Sequence, residues 1–303
     1  MINISEWESC ECNDLIKRVG KVEYDVAFSG AHLIDDRTSW VGNYLKKVST
    51  TTEIVKFDYH ESALGIGDNS VPIRNLDSQI IPPNSRILID ATTLAFPELL
   101  YLFNNLNSNG FDFDVLYVQP QEYGNDEKVE LGDIQPMRLS LDGLGPKTLA
   151  PYVQFSSRAS MLVFLGFEGH RLGSISNSDI FGMPEYSCLL GIPGFKAGWE
   201  NKAVYNNMSY LSELNIRNIL ISGANDPIYT YEVIENQYNA AKYSRKNLFL
   251  APLGTKPAGV AAANFAVNNP SNLGIVYDFI QSKVGRSSGT DIAHKWKFKF
   301  SKE

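Results

Sequence analysis

Gly254, Thr255 and Lys256 stand together where a short apolar run gives way to a stretch of small residues, and those three residue types suit the capture of an anion. Leu248 to Ala251 reads as a buried strand, Gly254-Thr-Lys-Pro257 as a break, and Ala258 to Val267 as a tightly packed helix. A helix that starts directly after a strand presents its unpaired N–H groups at the carboxyl edge of a sheet. With a hydroxyl at Thr255 and a cation at Lys256, such a turn would receive a phosphate or similar group. Pro257 fits the first helical position, where a missing N–H costs little.

These residues need a frame, and the chain supplies one by alternating strand and helix. In the first half, Tyr24 to Ser29 reads as a strand ending at Gly30-Ala31, Arg37 to Lys47 as an amphipathic helix, and Glu53 to Phe57 as a strand. Glu61 to Asn84 reads as loop. Arg86 to Asp90, Phe96 to Leu106 and Asp114 to Val118 follow as strand, helix and strand. The second half repeats the scheme with strands at Met161–Phe167, Ser187–Ile192, Asn218–Ser222 and Gly274–Phe279, and helices at Asn201–Leu214 and Tyr229–Tyr243. The expected class is α/β, as two Rossmann-like lobes with mainly parallel wound sheets. The lobes are expected at 1–150 and 151–303, with the passage around Tyr123 to Ala150 between them. The tail from Lys295 to Lys302 alternates lysine and aromatic residues, which predicts an edge strand of the second lobe burying Trp296, Phe298 and Phe300.

Ligands of wound parallel sheets lie beyond the carboxyl ends of the strands. In the second half that rule selects Glu168, His170 and Arg171, then Gly194, Phe195, Lys196 and Trp199, then Asn225 and Asp226, and finally the Gly254–Lys256 turn. The set offers cations, an aromatic face and several donors, an inventory suited to a nucleotide or phosphorylated small molecule. Each residue also has a plain structural reading. Glu168 and Arg171 could form a surface ion pair, and Asn225-Asp226-Pro227 is an ordinary helix start. In the first half the same rule selects Thr92 and Thr93.

Composition bounds the partners. The 303 residues are 44% hydrophobic and 20% charged with a formal net charge of −7, which argues against a general nucleic-acid or anionic-membrane surface. The N-terminus shows no basic segment followed by an apolar run, and no run is long enough to span a bilayer. Three cysteines, Cys10, Cys12 and Cys188, fit a reducing compartment, and their spacing with His170 and His294 suits no metal. A cytoplasmic protein without metal or cofactor, and a homo-oligomer, is expected.

The order of elements, together with Gly254-Thr255-Lys256 and the alanine-rich helix after it, resembles the CRISPR-associated Rossmann-fold (CARF) sensor domains and the SAVED domains. In those families a Gly-Thr-Lys-type loop after a late strand helps hold an oligonucleotide messenger. The usual pair of glycines before Thr-Lys is Leu253-Gly254 here. The resemblance implies a protein that binds a nucleotide or nucleotide-derived second messenger, in a prokaryotic defence or signalling system. It also implies an effector protein partner, since no nuclease or protease module is read in the chain. The first half, with Phe28-Ser-Gly-Ala31, Asp36-Arg37 and Asp90-Ala-Thr-Thr-Leu-Ala-Phe-Pro-Glu98, is similar in order to nucleoside deoxyribosyltransferase-like and N-glycosidase folds. That similarity implies an alternative in which Glu98 attacks an anomeric carbon and Asp90 orients or protonates. Pro97-Glu98 equally reads as a normal first helical turn, where an acid complements the dipole.

Overall fold

Short β-branched and aromatic runs separated by polar, glycine-bearing turns set the element order, and the computed structural model describes residues 1–31, 35–124, 138–178 and 184–301. The chain is α/β, with helices interleaved among sheets that contain parallel strands. It divides into two compact units, residues 1–126 with 282–303, and residues 127–281.

The first unit begins with β1 (Ile2–Glu11), α1 (Cys12–Arg18), β2 (Tyr24–Gly30), α2 (Asp36–Val48) and β3 (Ser49–Asp58). It continues with β4 (Ala63–Ile66), β5 (Asn69–Pro72), β6 (Ile87–Asp90), α3 (Phe96–Ser108), β7 (Phe113–Val118) and β8 (Glu122–Tyr123). The second unit holds β9 (Ser140–Thr148), β10 (Ala159–Phe164), α4 (Gly169–Ser176), β11 (Glu185–Gly191) and α5 (Trp199–Glu213). After these come β12 (Ile219–Ser222), α6 (Pro227–Tyr243), β13 (Asn247–Pro252), α7 (Lys256–Asn268) and β14 (Leu273–Ser282). The chain then returns to the first unit with β15 (Ser287–Ser288) and β16 (Ile292–Phe300).

The first sheet runs β1-β16-β7-β6-β2-β3-β4-β5. Its centre, β3-β2-β6-β7, is parallel, and antiparallel strands extend it on both sides. This sheet is therefore mixed rather than mainly parallel. The stretch read as loop from Glu61 contains the β4–β5 hairpin, whose turn at Gly67 adopts φ +56°. Four-residue strands are too short to declare a periodicity.

The lysine–aromatic tail lies in this first sheet, with β1 on one side and β7 on the other. Its alternation holds at Trp296 and Phe298, which are fully buried, with Phe298 stacked on Phe113 at 5.0 Å between ring centroids, whereas Phe300 at the strand end is half-buried. The lysines do not guard an edge. Lys297 and Lys295 face Glu6 and Glu8 of β1 at 3.5 and 3.9 Å, pairs that at this exposure add little stability. The units differ from the expected 1–150 and 151–303 at two places: β9 pairs in the second sheet, and backbone pairing with β1 and β7 draws residues 292–300 into the first unit. β9 belongs to the second unit. It occupies the described part of the passage expected between the lobes, of which residues 125–137 lie outside the described residues.

The second sheet runs β12-β11-β10-β13-β14-β9. The first five strands are all parallel, so by chain order among them the sequence is 3-2-1-4-5. Side chains alternate across each strand. One face, with Met161, Val163, Phe249 and Ala251, packs on Leu172 and Ile175 of α4 and Ala203 and Leu211 of α5. α6 and α7 pair with each other through Tyr231 and Tyr238 against Phe265. α7 is buried from Pro257 to Val267, save for Ala258, which explains its alanine-rich composition: only small side chains admit such close packing.

Candidate functional site

The 3-2-1-4-5 order places a reversal of winding between β10 and β13, which are hydrogen-bonded neighbours. A crevice lies at their carboxyl ends. It is lined by Phe164, Leu165, Leu189, Gly191, Ser222, Gly223, Thr230, Gly254, Thr255 and Ala258, and encloses about 10 Å³, on the order of one water molecule. Four strand ends, those of β10, β11, β12 and β13, contribute to it.

Local chemistry explains its walls. Thr255 caps α7: its Oγ1 accepts the Ala258 N–H at 3.4 Å and donates to the Ala224 carbonyl at 2.8 Å. Asp226 caps α6, accepting from the Ile228 and Tyr229 N–H groups at 3.0 and 2.9 Å. Ser222 and Thr230 share a hydroxyl hydrogen bond of 2.8 Å, and Thr230 donates to the Asp226 carbonyl at 2.7 Å. Both helices therefore start at the crevice with their first turns fixed. Pro257 is the second helical residue of α7 rather than the first, because Thr255 is the cap and Lys256 already has helical geometry.

Of the residues selected from sequence, Gly254 and Thr255 line this crevice. Lys256 follows at the first position of α7, half-buried and outside the lining. Asn225 is half-buried in the turn between β12 and α6, and Asp226 serves as that helix's cap. Lys196 lies over the Trp199 ring at 5.8 Å from its centroid, in the segment after β11.

Glu168 and Arg171 hold other parts of the second unit together and do not pair through their side chains. Glu168 Oε1 accepts the Leu139 N–H at 2.7 Å and the Ser140 hydroxyl at 2.6 Å, which secures the start of β9. Arg171 Nε donates to Asp278 Oδ2 at 3.0 Å and a second nitrogen donates to the Asp278 carbonyl at 3.2 Å. The pair is 10% and 3% exposed, so the surface reading gives way to a buried tie between α4 and β14.

In the first unit, Asp90, Thr92 and Thr93 close the carboxyl edge of the parallel strands upon itself. Asp90 is fully buried, accepts the Thr92 N–H at 2.9 Å and the Thr93 N–H at 3.3 Å, and accepts a further hydrogen bond from the Thr93 hydroxyl. Burial pushes its pKa upward against these hydrogen bonds. Thr93 Oγ1 accepts the Gly30 N–H at 2.8 Å, and Thr92 Oγ1 accepts the Val118 N–H at 2.9 Å. One acidic turn thus ties the ends of β2, β6 and β7. A Cβ at Gly30 would fall 2.8 Å from Leu94 Cα, so only glycine admits this approach. The second unit repeats the device, where a Cβ at Gly166 would fall 2.6 Å from the Leu253 carbonyl oxygen. Glu98, in the first turn of α3, is 2% exposed, and its Oε1 accepts the Phe57 N–H of β3 at 3.1 Å. That arrangement is a buried acceptor for a backbone donor.

Gly191, Ser222, Gly223 and Thr230 line the crevice without having been selected from sequence. A signal existed: Ile221-Ser-Gly-Ala224 at the end of β12 repeats the Ser-Gly-Ala that ends β2 at Phe28-Ser-Gly-Ala31. Among the described residues no three His, Cys, Asp or Glu side chains come together in a metal-holding group, and no helix is long and apolar enough to cross a membrane. No family model and no curated protein matches this chain.

Proposed function

We propose that the second unit binds a nucleotide or nucleotide-derived anion at the carboxyl edge of its parallel sheet. One observation carries this reading: the crevice lies at the winding reversal between β10 and β13, where open parallel sheets place their ligands. Its described lining is glycine, hydroxyl and apolar, with no charged side chain to repel a phosphate. The α7 N-terminus is the better anion receptor of the two at the rim, because Lys256 begins it. The α6 N-terminus already holds the Asp226 carboxylate. The crevice takes about one water, so the ligand's bulk lies across the rim, near Asn225 and the loop after β11. On this reading both units are Rossmann-like lobes, supported by the parallel order β3-β2-β6-β7 in the first and β12-β11-β10-β13-β14 in the second. The likeness of Gly254-Thr255-Lys256 to the CARF and SAVED loops favours a cytoplasmic messenger sensor that acts on an effector protein. No observation favours the base-cleaving alternative, since Asp90 and Glu98 both hold backbone N–H groups.

Calorimetric melting with mononucleotides, dinucleotides, cyclic oligonucleotides and NAD tests the proposal. A ligand present at about 100 times its dissociation constant adds roughly 2.7 kcal/mol to the wild type. Lys256→Ala removes that gain and leaves the unliganded melting temperature within a degree or two of wild type. A panel that stabilises nothing, or a Lys256→Ala protein that binds as well as wild type, overturns it.

A further inference from the structure

Exposed sheet edges invite strand addition, and proteins blunt them with charge, proline or bulges. Three of the four edges of the two large sheets are blunted in this way. β1 carries Glu6 and Glu8 and a register shift between Ile4 and Glu6. β5 ends in Pro72, and β9 contains Asp142, Pro146 and Lys147. The fourth edge, β12, has none of these: Asn218-Ile-Leu-Ile-Ser222 is uncharged and free of proline.

Its inner side belongs to β11, because Cys188 N–H donates to the Asn218 carbonyl and Ile192 N–H to the Ser222 carbonyl. Backbone groups alternate in direction along a strand, so the N–H and C=O of Ile219 and Ile221 point outward. Among the described residues no strand pairs with them. The side chains of Ile219 and Ile221 share one sheet face and are 42% and 50% exposed.

We infer that β12 is a dimer edge, on which a second copy of this chain pairs its own β12 antiparallel about a twofold axis at Leu220. Ile219 then lies opposite Ile221 of the other copy, twice. These two positions carry the outward backbone groups, so both become hydrogen-bonded pairs. Charge selects a second copy in this direction. Arg217 precedes the uncharged stretch and Asp226 follows it, so antiparallel pairing sets each strand's cationic end beside the other's anionic end. Parallel pairing would set like beside like. The contact is isologous and closed, joining two six-stranded sheets into one.

Sedimentation equilibrium of the full chain without ligand tests this independently of the anion site. Wild type sediments at twice the chain mass. Ile221→Lys raises the dimer dissociation constant about 100-fold or more, with the circular dichroism of the folded chain unchanged because the residue is exposed. Mild oxidation supplies the register: mixed Ile219→Cys and Ile221→Cys proteins cross-link, and neither does so alone beyond the wild-type background. A monomeric wild type, a dimer indifferent to Ile221→Lys, or cross-linking within a single cysteine variant overturns the inference.

Discussion

His294 should make the first unit sensitive to acid. It sits on β16 with 2% exposure, stacked on Trp296 at 5.8 Å and Tyr117 at 6.2 Å between ring centroids. Its Nδ1 shares a 2.7 Å hydrogen bond with Ser9 of β1, and its Nε2 lies 3.4 Å from Gln119 Oε1. Burial among these rings lowers its pKa from 6.5 to about 4. The unfolded chain therefore takes up the proton first as pH falls, and stability is lost from pH 6.5 downward until the folded pKa is reached. At about 1.4 kcal/mol per unit, the loss relative to pH 7 is about 2 kcal/mol at pH 5 and about 3 kcal/mol at pH 4. Asp90 and Asp114, whose pKa values burial raises, work in the opposite direction, so the measurement must be a difference. Urea unfolding at pH 7, 5 and 4 would compare wild type with His294→Gln. Tryptophan fluorescence suits it, since Trp7, Trp40 and Trp296 all lie in the first unit and only Trp199 in the second. Wild type should lose about 3 kcal/mol more than the variant between pH 7 and 4. Parallel pH profiles for the two proteins would refute the reasoning.

Two further outcomes follow from buried contacts. Arg171→Met should destabilise the second unit by about 3–5 kcal/mol because it strands the Asp278 carboxylate, while the double change with Asp278→Leu should recover most of that loss in urea unfolding. Gly30→Ala should cost the first unit about 3 kcal/mol or more by thermal melting, since its Cβ meets the backbone of Leu94; a change under about 0.5 kcal/mol would show that the loop after β6 can move aside.

The α/β class, the strands at the centre of both sheets and the Gly254-Thr255 turn were all legible in the sequence. Each rests on local signals: apolar runs of strand length, amphipathic periods, and a glycine and a cap residue at a helix start. The eight-residue α4, Gly169–Ser176, was missed because its two glycines mask the helical period. β1 was missed because it is exposed along most of its length, so its residues show little apolar alternation. Which acids hold structure and which residues meet at the crevice were decided by the tertiary fold alone. Glu168 and Arg171 are three positions apart, yet one reaches Ser140 and the other Asp278. The alternation from Lys295 to Phe300 was legible as a strand, but nothing within it specifies β1 and β7 as neighbours. Strand pairing and burial join residues far apart in the chain, whereas propensity and capping act within a few positions. Local signals therefore determined most of the elements, and only the packed sheets determined which of their ends meet at the crevice.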